Sequence, residues 1–326
     1  MEPIIKEAFV ALTINGRDIT GDVKPFLNAV SFAEAVEGDS DSVEITLSDI
    51  DAKFRNAWYP PIGSPVTLSL GYLNGKALNC GAFELDEIEF SFPPSMVTIR
   101  AIAAKPSTPA RTKNAQKFAD TTLSDVIHKV ASDLGLTVKG EIEHVAIKKM
   151  TQSTDAMQFL QSTLSDYGYA FNIRDQALNV FKRESLNAQA PNVFLNPNDI
   201  KSLNFREKSV KVVESAQVDY FDPETEELKT YNAAGENGTS DSKKQNKRVE
   251  NKEQAQLQAD AARAKQNADE RSLSVELCGN PQIRAGLRFT LSGLGKLNGT
   301  YAITSVRHDV SRAAGYTTSF EAQTSF

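Results

Sequence analysis

Alternation of apolar and polar residues dominates the first third of the chain. Val43, Ile45 and Leu47 alternate with Glu44 and other polar residues. The same period of two recurs at positions 66–70, 83–86 and 97–100. Because one face of each such segment is polar, the pattern predicts antiparallel strands with one side exposed to solvent. Residues 1–105 are therefore predicted to form a β-barrel or a β-sandwich.

The pattern changes after residue 105, where the proline-containing stretch 106–109 predicts a break between domains. Apolar residues then recur with the period of a helix after Thr122, a residue that can cap the first turn. A second helix is predicted from a cap at Ser153 or Thr154 to Gly168. Short strands follow each helix, so residues 106–195 are predicted to form a small α+β domain.

Strand-like alternation returns in the last third of the chain, and residues 196–326 are predicted to form a second β domain. Within it, residues 222–252 are poor in apolar side chains and are predicted to be a mobile loop. A basic stretch, 243–248, lies in this segment. The alanine-rich residues 252–270 favour a helix by propensity.

The two β regions resemble each other in sequence. The compared segments are 63–70 with 285–292, 81–88 with 299–306, and 96–101 with 317–322. Because the matched segments occur in the same order, we predict that one β module is duplicated. Two similar modules in each chain would allow a closed ring of three chains to present six similar faces.

The charge balance disfavours one broad class of function. The chain has 326 residues, a formal net charge of −6 and an isoelectric point near 5.3. A surface that mainly binds phosphates is normally basic, so general nucleic-acid binding is not expected. No apolar run is long enough for a membrane-spanning helix, and no secretory leader is expected. Cys80 and Cys278 are too few for a disulfide scaffold, which favours a reducing compartment.

Residue patterns typical of catalysis or metal binding are sparse. The three histidines, His128, His144 and His308, form no metal-binding spacing with each other or with a cysteine. Phosphate-loop, dinucleotide-binding and nucleophile-elbow motifs are absent from the sequence. We therefore predict no catalytic, cofactor-binding or metal-binding residues. Trp58 and Tyr59, which precede two prolines, are predicted to pack in the core at a corner before a strand.

Acidic clusters keep one enzymatic alternative open. They contain Asp49 and Asp51; Asp86, Glu87 and Glu89; and Asp222, Glu224, Glu226 and Glu227. A glycosidase needs two carboxylates across a cleft, although such residues are also common on solvated strands and turns. A peptidoglycan-degrading enzyme is therefore the alternative function. The basic stretch 243–248 leaves a DNA-binding regulator as a third class, although it has no interleaved aromatic residues for base stacking.

An ordered set of short segments spans nearly the whole chain. These are residues 18–23, 26–32, 38–49, 58–63, 81–88, 153–160, 167–168, 299–301, 306–308 and 315–318. Together they resemble the phage late control D family, the tail baseplate hub proteins of contractile phages. The set is also similar to the hub part of type VI secretion spikes and of phage-tail-like bacteriocins.

The resemblance implies an α+β protein, mainly β, with two similar tube-protein-like β-barrel domains that flank the small α+β domain. It implies a structural, non-enzymatic homotrimer without cofactors. Its pseudo-six-fold ring would adapt the hexameric tail tube to the trimeric spike and line the channel. Baseplate wedge proteins and the tape measure protein are further implied partners, without specific nucleic-acid binding or direct membrane insertion. The implied location is the baseplate of a virion or phage-tail-like particle, assembled in the bacterial host cytoplasm.

Overall fold

The computed structural model describes residues 7–103, 116–174, 176–208, 215–222, 227–234, 242–268 and 270–326. The strands in these ranges are β1 (Ala8–Ile14), β2 (Arg17–Asp18), β3 (Leu27–Ala35), β4 (Glu37–Ser40), β5 (Ser42–Ser48), β6 (Pro65–Tyr72), β7 (Ala77–Ser91), β8 (Met96–Ile102), β9 (Gln116–Thr122), β10 (Thr137–Lys139), β11 (Ala146–Gln152), β12 (Tyr169–Arg174), β13 (Ala177–Lys182), β14 (Val193–Leu195), β15 (Ile200–Glu207), β16 (Ser215–Asp222), β17 (Glu227–Ala234), β18 (Ser242–Val249), β19 (Arg271–Cys278), β20 (Arg288–Leu291), β21 (Gly299–Ser311) and β22 (Gly315–Gln323). The helices are α1 (Thr20–Val23), α2 (Leu123–Asp133), α3 (Ala156–Asp166), α4 (Arg183–Ala188) and α5 (Lys252–Ala268). The chain is therefore mainly β with a few helices, as predicted.

One 13-stranded sheet contains strands from both the first and the last third of the chain. Its main order is β15-β19-β22-β21-β3-β5-β8-β7-β6-β1-β2, with β20 also paired to β21, and β14 to β20. The antiparallel pair of β21 and β3 joins the two regions, with Val310 opposite Val30 and His308 opposite Phe32. We call this pair the internal joint. The two regions that were predicted as separate domains thus share one hydrogen-bonded sheet, and the domain boundaries stay a prediction.

The strands on the two sides of the internal joint follow the same order. The first set is β3-β5-β8-β7-β6 and the second is β15-β19-β22-β21-β20. Registers also correspond: Val43 lies opposite Ala101 in the first set, and Leu273 lies opposite Ala322 in the second. Each strand of one set therefore has a counterpart in the other with the same neighbours.

Two irregularities in the pairing of the first set have counterparts in the second, whereas the shift at 68–69 between β6 and β7 has none. The pairing of β7 with β8 shifts at 85–87, and that of β21 with β22 shifts at 303–305. The pairing of β3 with β5 shifts at 27–29, and that of β15 with β19 shifts at 200–202. Because a bulge bends its strand and increases its twist, matched bulges curve the two sets in the same way.

Each strand set covers its own apolar cluster. The alternating residues of β5 that predicted a strand, among them Val43 and Ile45, are buried in the first cluster. Phe289 and Phe320 are buried in the second, where their rings meet edge to face with centroids 5.2 Å apart. Removing these side chains from water is the main favourable contribution to folding in either set.

The two predicted helices of the middle segment are present and surround a third apolar cluster. In α2 the Thr122 hydroxyl accepts a hydrogen bond from the backbone N–H of Asp125, which confirms the predicted cap. In α3 the cap is Asp155 and not Ser153 or Thr154, because the Asp155 carboxylate accepts from the backbone N–H of Gln158. The strand β12 also pairs in parallel with β4, which connects this segment to the first strand set.

The segment 222–252, predicted as a mobile loop, contains strands β17 and β18. Both pair with β16 in a three-stranded sheet, and α5 packs against it through Ala255 and Ala259. The loop prediction was wrong here because these strands are largely polar and give no apolar alternation. These strands are instead stabilised by their pairing with β16 and by the packing of α5 against the sheet. The predicted break at 106–109 and the acidic residues Glu224 and Glu226 lie outside the described residues.

Candidate assembly surfaces

A buried cluster of charged side chains lies beside the internal joint. Glu34 on β3 accepts hydrogen bonds from Arg174 on β12 and from Arg284 in the segment before β20, each at 2.7 Å. Arg174 also donates to Asp41 at 2.7 Å, and both carboxylates are almost fully buried. Because an unpaired buried charge is costly, this cluster fixes the two strand sets and the middle segment relative to one another.

The protonation of Asp41 responds to this burial. Loss of water raises the pKa of the Asp41 carboxyl to about 6, in spite of the nearby Arg174 guanidinium. One carboxylate oxygen, Oδ1, has no hydrogen-bond partner among the described residues. The net charge of the cluster therefore changes in mildly acidic solution.

His308 on β21 is a structural residue of the internal joint. Its ring stacks on Phe32, its Nε2 lies 3.0 Å from the carbonyl oxygen of Ile283, and its Nδ1 lies 2.9 Å from the Tyr316 hydroxyl. Burial lowers the pKa of His308 to about 4, so the ring is neutral near pH 7. Among the described residues, no group of three or more His, Cys, Asp and Glu side chains is placed to hold a metal ion.

Two of the acidic clusters noted in the sequence, at Asp49 and at Glu87, contain carboxylates that are engaged in ion pairs or backbone contacts. Arg100 on β8 contacts Glu44, Glu87 and Glu89 at 3.0, 2.8 and 3.2 Å. Asp49 is buried and accepts from the backbone N–H of Phe54 at 2.9 Å. Glu87 and Glu89 therefore share one guanidinium, an arrangement unlike two carboxylates facing each other across a cleft.

A pocket of about 430 Å³ opens beside the loop that contains Trp58. Most of its lining is apolar, and its two charged lining residues, Arg17 and Asp22, bond to each other at 2.9 Å. An ion pair of this kind neutralises the one carboxylate in the pocket. The pocket thus has the character of a packing groove and not of an acid–base site.

Aromatic side chains form an exposed apolar patch at the end of the β7–β8 hairpin. Phe92 is 80% exposed, and Phe90 is 41% exposed with its ring stacked on Tyr59. Trp58 and Tyr59 were both predicted as core residues, but they are 40% and 49% exposed. Trp58 is covered on part of its surface by edge-to-face contacts with Phe26 and Phe54. Large exposed apolar groups in one place are typical of protein–protein interfaces.

The fold is that of phage tail proteins. A tail protein from Neisseria meningitidis MC58 superimposes with a TM-score of 0.68 at 12% identity, over 97% of this chain and 96% of that chain. The E. coli c3393 protein superimposes with a TM-score of 0.59 at 11% identity, over 95% of this chain and 76% of that chain. The latter is described as a component of the type VI secretion system with structural similarity to the T4 tail proteins gp27 and gp5.

The YQBQ-like family profile matches residues 110–321, and the chain belongs to this family. A relative named "Probable baseplate hub protein", from Escherichia phage 186, is 28% identical over 157 residues. That alignment covers 48% of this chain and 40% of the relative, so the chain spans well under two thirds of the length of this curated relative. The resemblance to phage tail baseplate hub proteins that the sequence indicated is confirmed. In the described part of the chain, no helix is both long and apolar enough to cross a bilayer.

Proposed function

We propose that the protein is a structural baseplate hub of a contractile tail or of a related injection device. The family assignment, the hub protein relative and the tail-protein fold support this proposal. The ion-paired state of the carboxylates favours a non-enzymatic role over peptidoglycan degradation. The proposed site of action is the baseplate of the particle, after assembly in the host cytoplasm.

The observation that carries the proposal is the correspondence between the two strand sets. Two sets with the same strand order, corresponding registers and two matched bulges support the duplication of one β module, in domains at 1–105 and 196–326. A ring of three chains would then present six similar modules on one face and keep three-fold symmetry in its middle segments. We propose that this ring adapts the hexameric tail tube to the trimeric spike and lines the channel.

The same arrangement defines the proposed partners. The six-module face would receive the tail tube, and the three-fold face would seat the spike. Baseplate wedge proteins would contact the outside of the ring, and the tape measure protein would enter its channel. The exposed aromatic patch, which contains Phe92 and Phe90, supports assembly with other chains, because clustered exposed apolar side chains are typical of interaction surfaces.

Oligomeric mass tests this proposal. Light scattering of the purified protein, alone and with the spike protein, is expected to show three copies of the 35.6 kDa chain. Electron micrographs of that species are expected to show a ring with a central opening. A persistent monomer that clears a peptidoglycan gel, with the clearing lost in Glu87→Gln/Glu89→Gln, would instead favour the hydrolase.

A further inference from the structure

Within the part of the chain that the structure describes, two strand edges have no partner strand, while their counterparts pair with each other in the internal joint. The joint uses the outer edge of β3 and the edge of β21 that faces away from β22. Their counterparts are the outer edge of β15 and the edge of β7 that faces away from β8. In the described ranges, β15 pairs only with β19, and β7 beyond Leu85 pairs only with β8.

We propose that these two edges pair between neighbouring copies of the chain, in the register of the internal joint. The matched bulges make residues 305–310 of β21 correspond to 87–92, and residues 30–35 of β3 correspond to 203–208. The proposed antiparallel pairs are Glu87 with Lys208, Ile88 with Glu207, Glu89 with Arg206, Phe90 with Phe205, Ser91 with Asn204, and Phe92 with Leu203. This inference rests on the proposed trimer and names its interface.

The apolar residues of the two edges are complementary. In the internal joint, His308 opposite Phe32 and Val310 opposite Val30 are all buried. The corresponding pairs at the open edges are Phe90 with Phe205 and Phe92 with Leu203. Phe92 is 80% exposed, while Leu203 and Phe205 are only partly buried against the second apolar cluster. Pairing of the two edges would bury these side chains, just as the corresponding side chains are buried in the internal joint.

The opposite face of the same edges is complementary in charge. Among the described residues, one cationic side chain, Arg100, pairs with Glu44, Glu87 and Glu89, so the patch around Glu87 and Glu89 keeps a net negative charge. The proposed register brings Arg206 opposite Glu89 and Lys208 opposite Glu87. Cross-strand pairs of opposite charge stabilise antiparallel strands.

The same charge pairs distinguish the proposed interface between copies from the internal joint. There, Arg307 lies opposite Ala33 and Ser305 opposite Ala35, with no charge pair across the strands. An interface with its own charge pairs is distinguished from the joint within the chain. Each copy carries one edge of each kind, so the interface is head-to-tail and can close into a ring.

Disulfide cross-linking of mixed chains tests the register. Ser91→Cys and Asn204→Cys are placed in separate, differently tagged chains, both with Cys278→Ser to remove the exposed native thiol. After co-expression and mild oxidation, we expect a reducible cross-link between the two tagged chains that neither variant gives alone. The matched control replaces Asn204→Cys by Ser202→Cys, which lies two residues along the same face. Its Cα would lie about 7–8 Å from position 91, beyond the usual reach of a disulfide.

Light scattering of the same samples separates this proposal from the proposed function. A trimer that cross-links at 91 with 204, and much less at 91 with 202, supports the register. A trimer that cross-links at neither pair, or equally at both, overturns the register and leaves the trimer standing. A monomer under all conditions overturns both.

A charge exchange provides a second, independent test. Glu89→Arg alone is expected to weaken the trimer, and the double variant Glu89→Arg/Arg206→Glu is expected to restore most of it. Circular dichroism checks that the variants fold. Equal weakening by the single and double variants would overturn the proposed pairing.

Discussion

Glu34 and Arg284, 250 positions apart in the sequence, form a two-point ion pair with distances of 2.7 to 2.9 Å. Glu34 also accepts from the backbone N–H of Ala285 at 2.8 Å. The pair therefore ties a strand of the first set to the segment that leads into β20 of the second.

Loss of the Glu34 carboxylate should be strongly destabilising. In Glu34→Gln, the guanidinium groups of Arg174 and Arg284 lose their shared partner in a buried place, which typically costs about 3–5 kcal/mol. Urea unfolding followed by circular dichroism measures the change. The control Asp22→Asn removes an exposed ion pair with Arg17 and should change the unfolding midpoint little. Equal midpoints for the two variants would contradict the role given to the buried cluster.

Two buried groups should give opposite pH dependences between about pH 4 and pH 6.5. The folded state raises the pKa of Asp41 to about 6, so it binds a proton more tightly than the unfolded chain, and stability from this group falls as pH rises. The folded state lowers the pKa of His308 to about 4, so stability from this group falls as pH drops from 6.5 to 4. The two effects should largely cancel in the wild type.

Asp41→Asn should make the pH dependence of stability that arises from His308 measurable, because it removes the opposing contribution of Asp41. In this variant the free energy of unfolding is expected to fall by about 3 kcal/mol more than in the wild type between pH 6.5 and pH 4. Urea denaturation at a series of pH values measures both profiles. Parallel profiles for the variant and the wild type would contradict the opposing assignments of Asp41 and His308.

The exposed end of the β7–β8 hairpin should matter for assembly and not for folding. Phe92→Ser removes an apolar side chain that burial in the trimer would stabilise by about 1.5–3 kcal/mol, which corresponds to roughly a 10- to 100-fold weaker association. Analytical ultracentrifugation over a dilution series measures this change. Phe194→Ser is the matched control, because Phe194 is 71% exposed and lies outside the two proposed edges. Similar association of the two variants would contradict the assembly role of the hairpin.

The N-cap of α2 allows a local test of stability. Thr122→Ala removes the hydroxyl that accepts from the Asp125 N–H and should cost about 1 kcal/mol, while Thr122→Ser should keep most of it. Thermal unfolding of both variants measures the difference. Equal losses in Ala and Ser variants would show that the methyl group, and not the cap hydrogen bond, is responsible.

Local patterns were sufficient for most individual elements. The alternation of Val43 and Ile45 predicted β5, and the cap at Thr122 predicted the start of α2, because both depend on near neighbours in the sequence. The strands β17 and β18 were missed because their residues are largely polar. Their pairing with β16 and the packing of α5 determine them, and neither contact follows from sequence periodicity.

The joint and its buried cluster could be predicted only in part. The alternation of Val30, Phe32 and Glu34 places the glutamate on the core face of β3, so a buried charge with a distant partner could have been inferred. The identity of the arginines that reach Glu34 could not be predicted, because Arg284 is placed by the pairing of β3 with β21 and Arg174 by the pairing of β12 with β4. The pairing of β3 with β21 links residues 270 to 282 positions apart, from Ser305 with Ala35 to Ser311 with Ala29.

The continuity of the sheet through β3 and β21 has a mechanical consequence. Hydrogen bonds in this antiparallel pair run across the strands, so a pull along the strand direction loads all of them in shear at once. A pull at right angles would open them one after another from an end. The two halves of the chain should therefore resist a force along β3 and β21 far better than a force that pulls the two strands apart sideways.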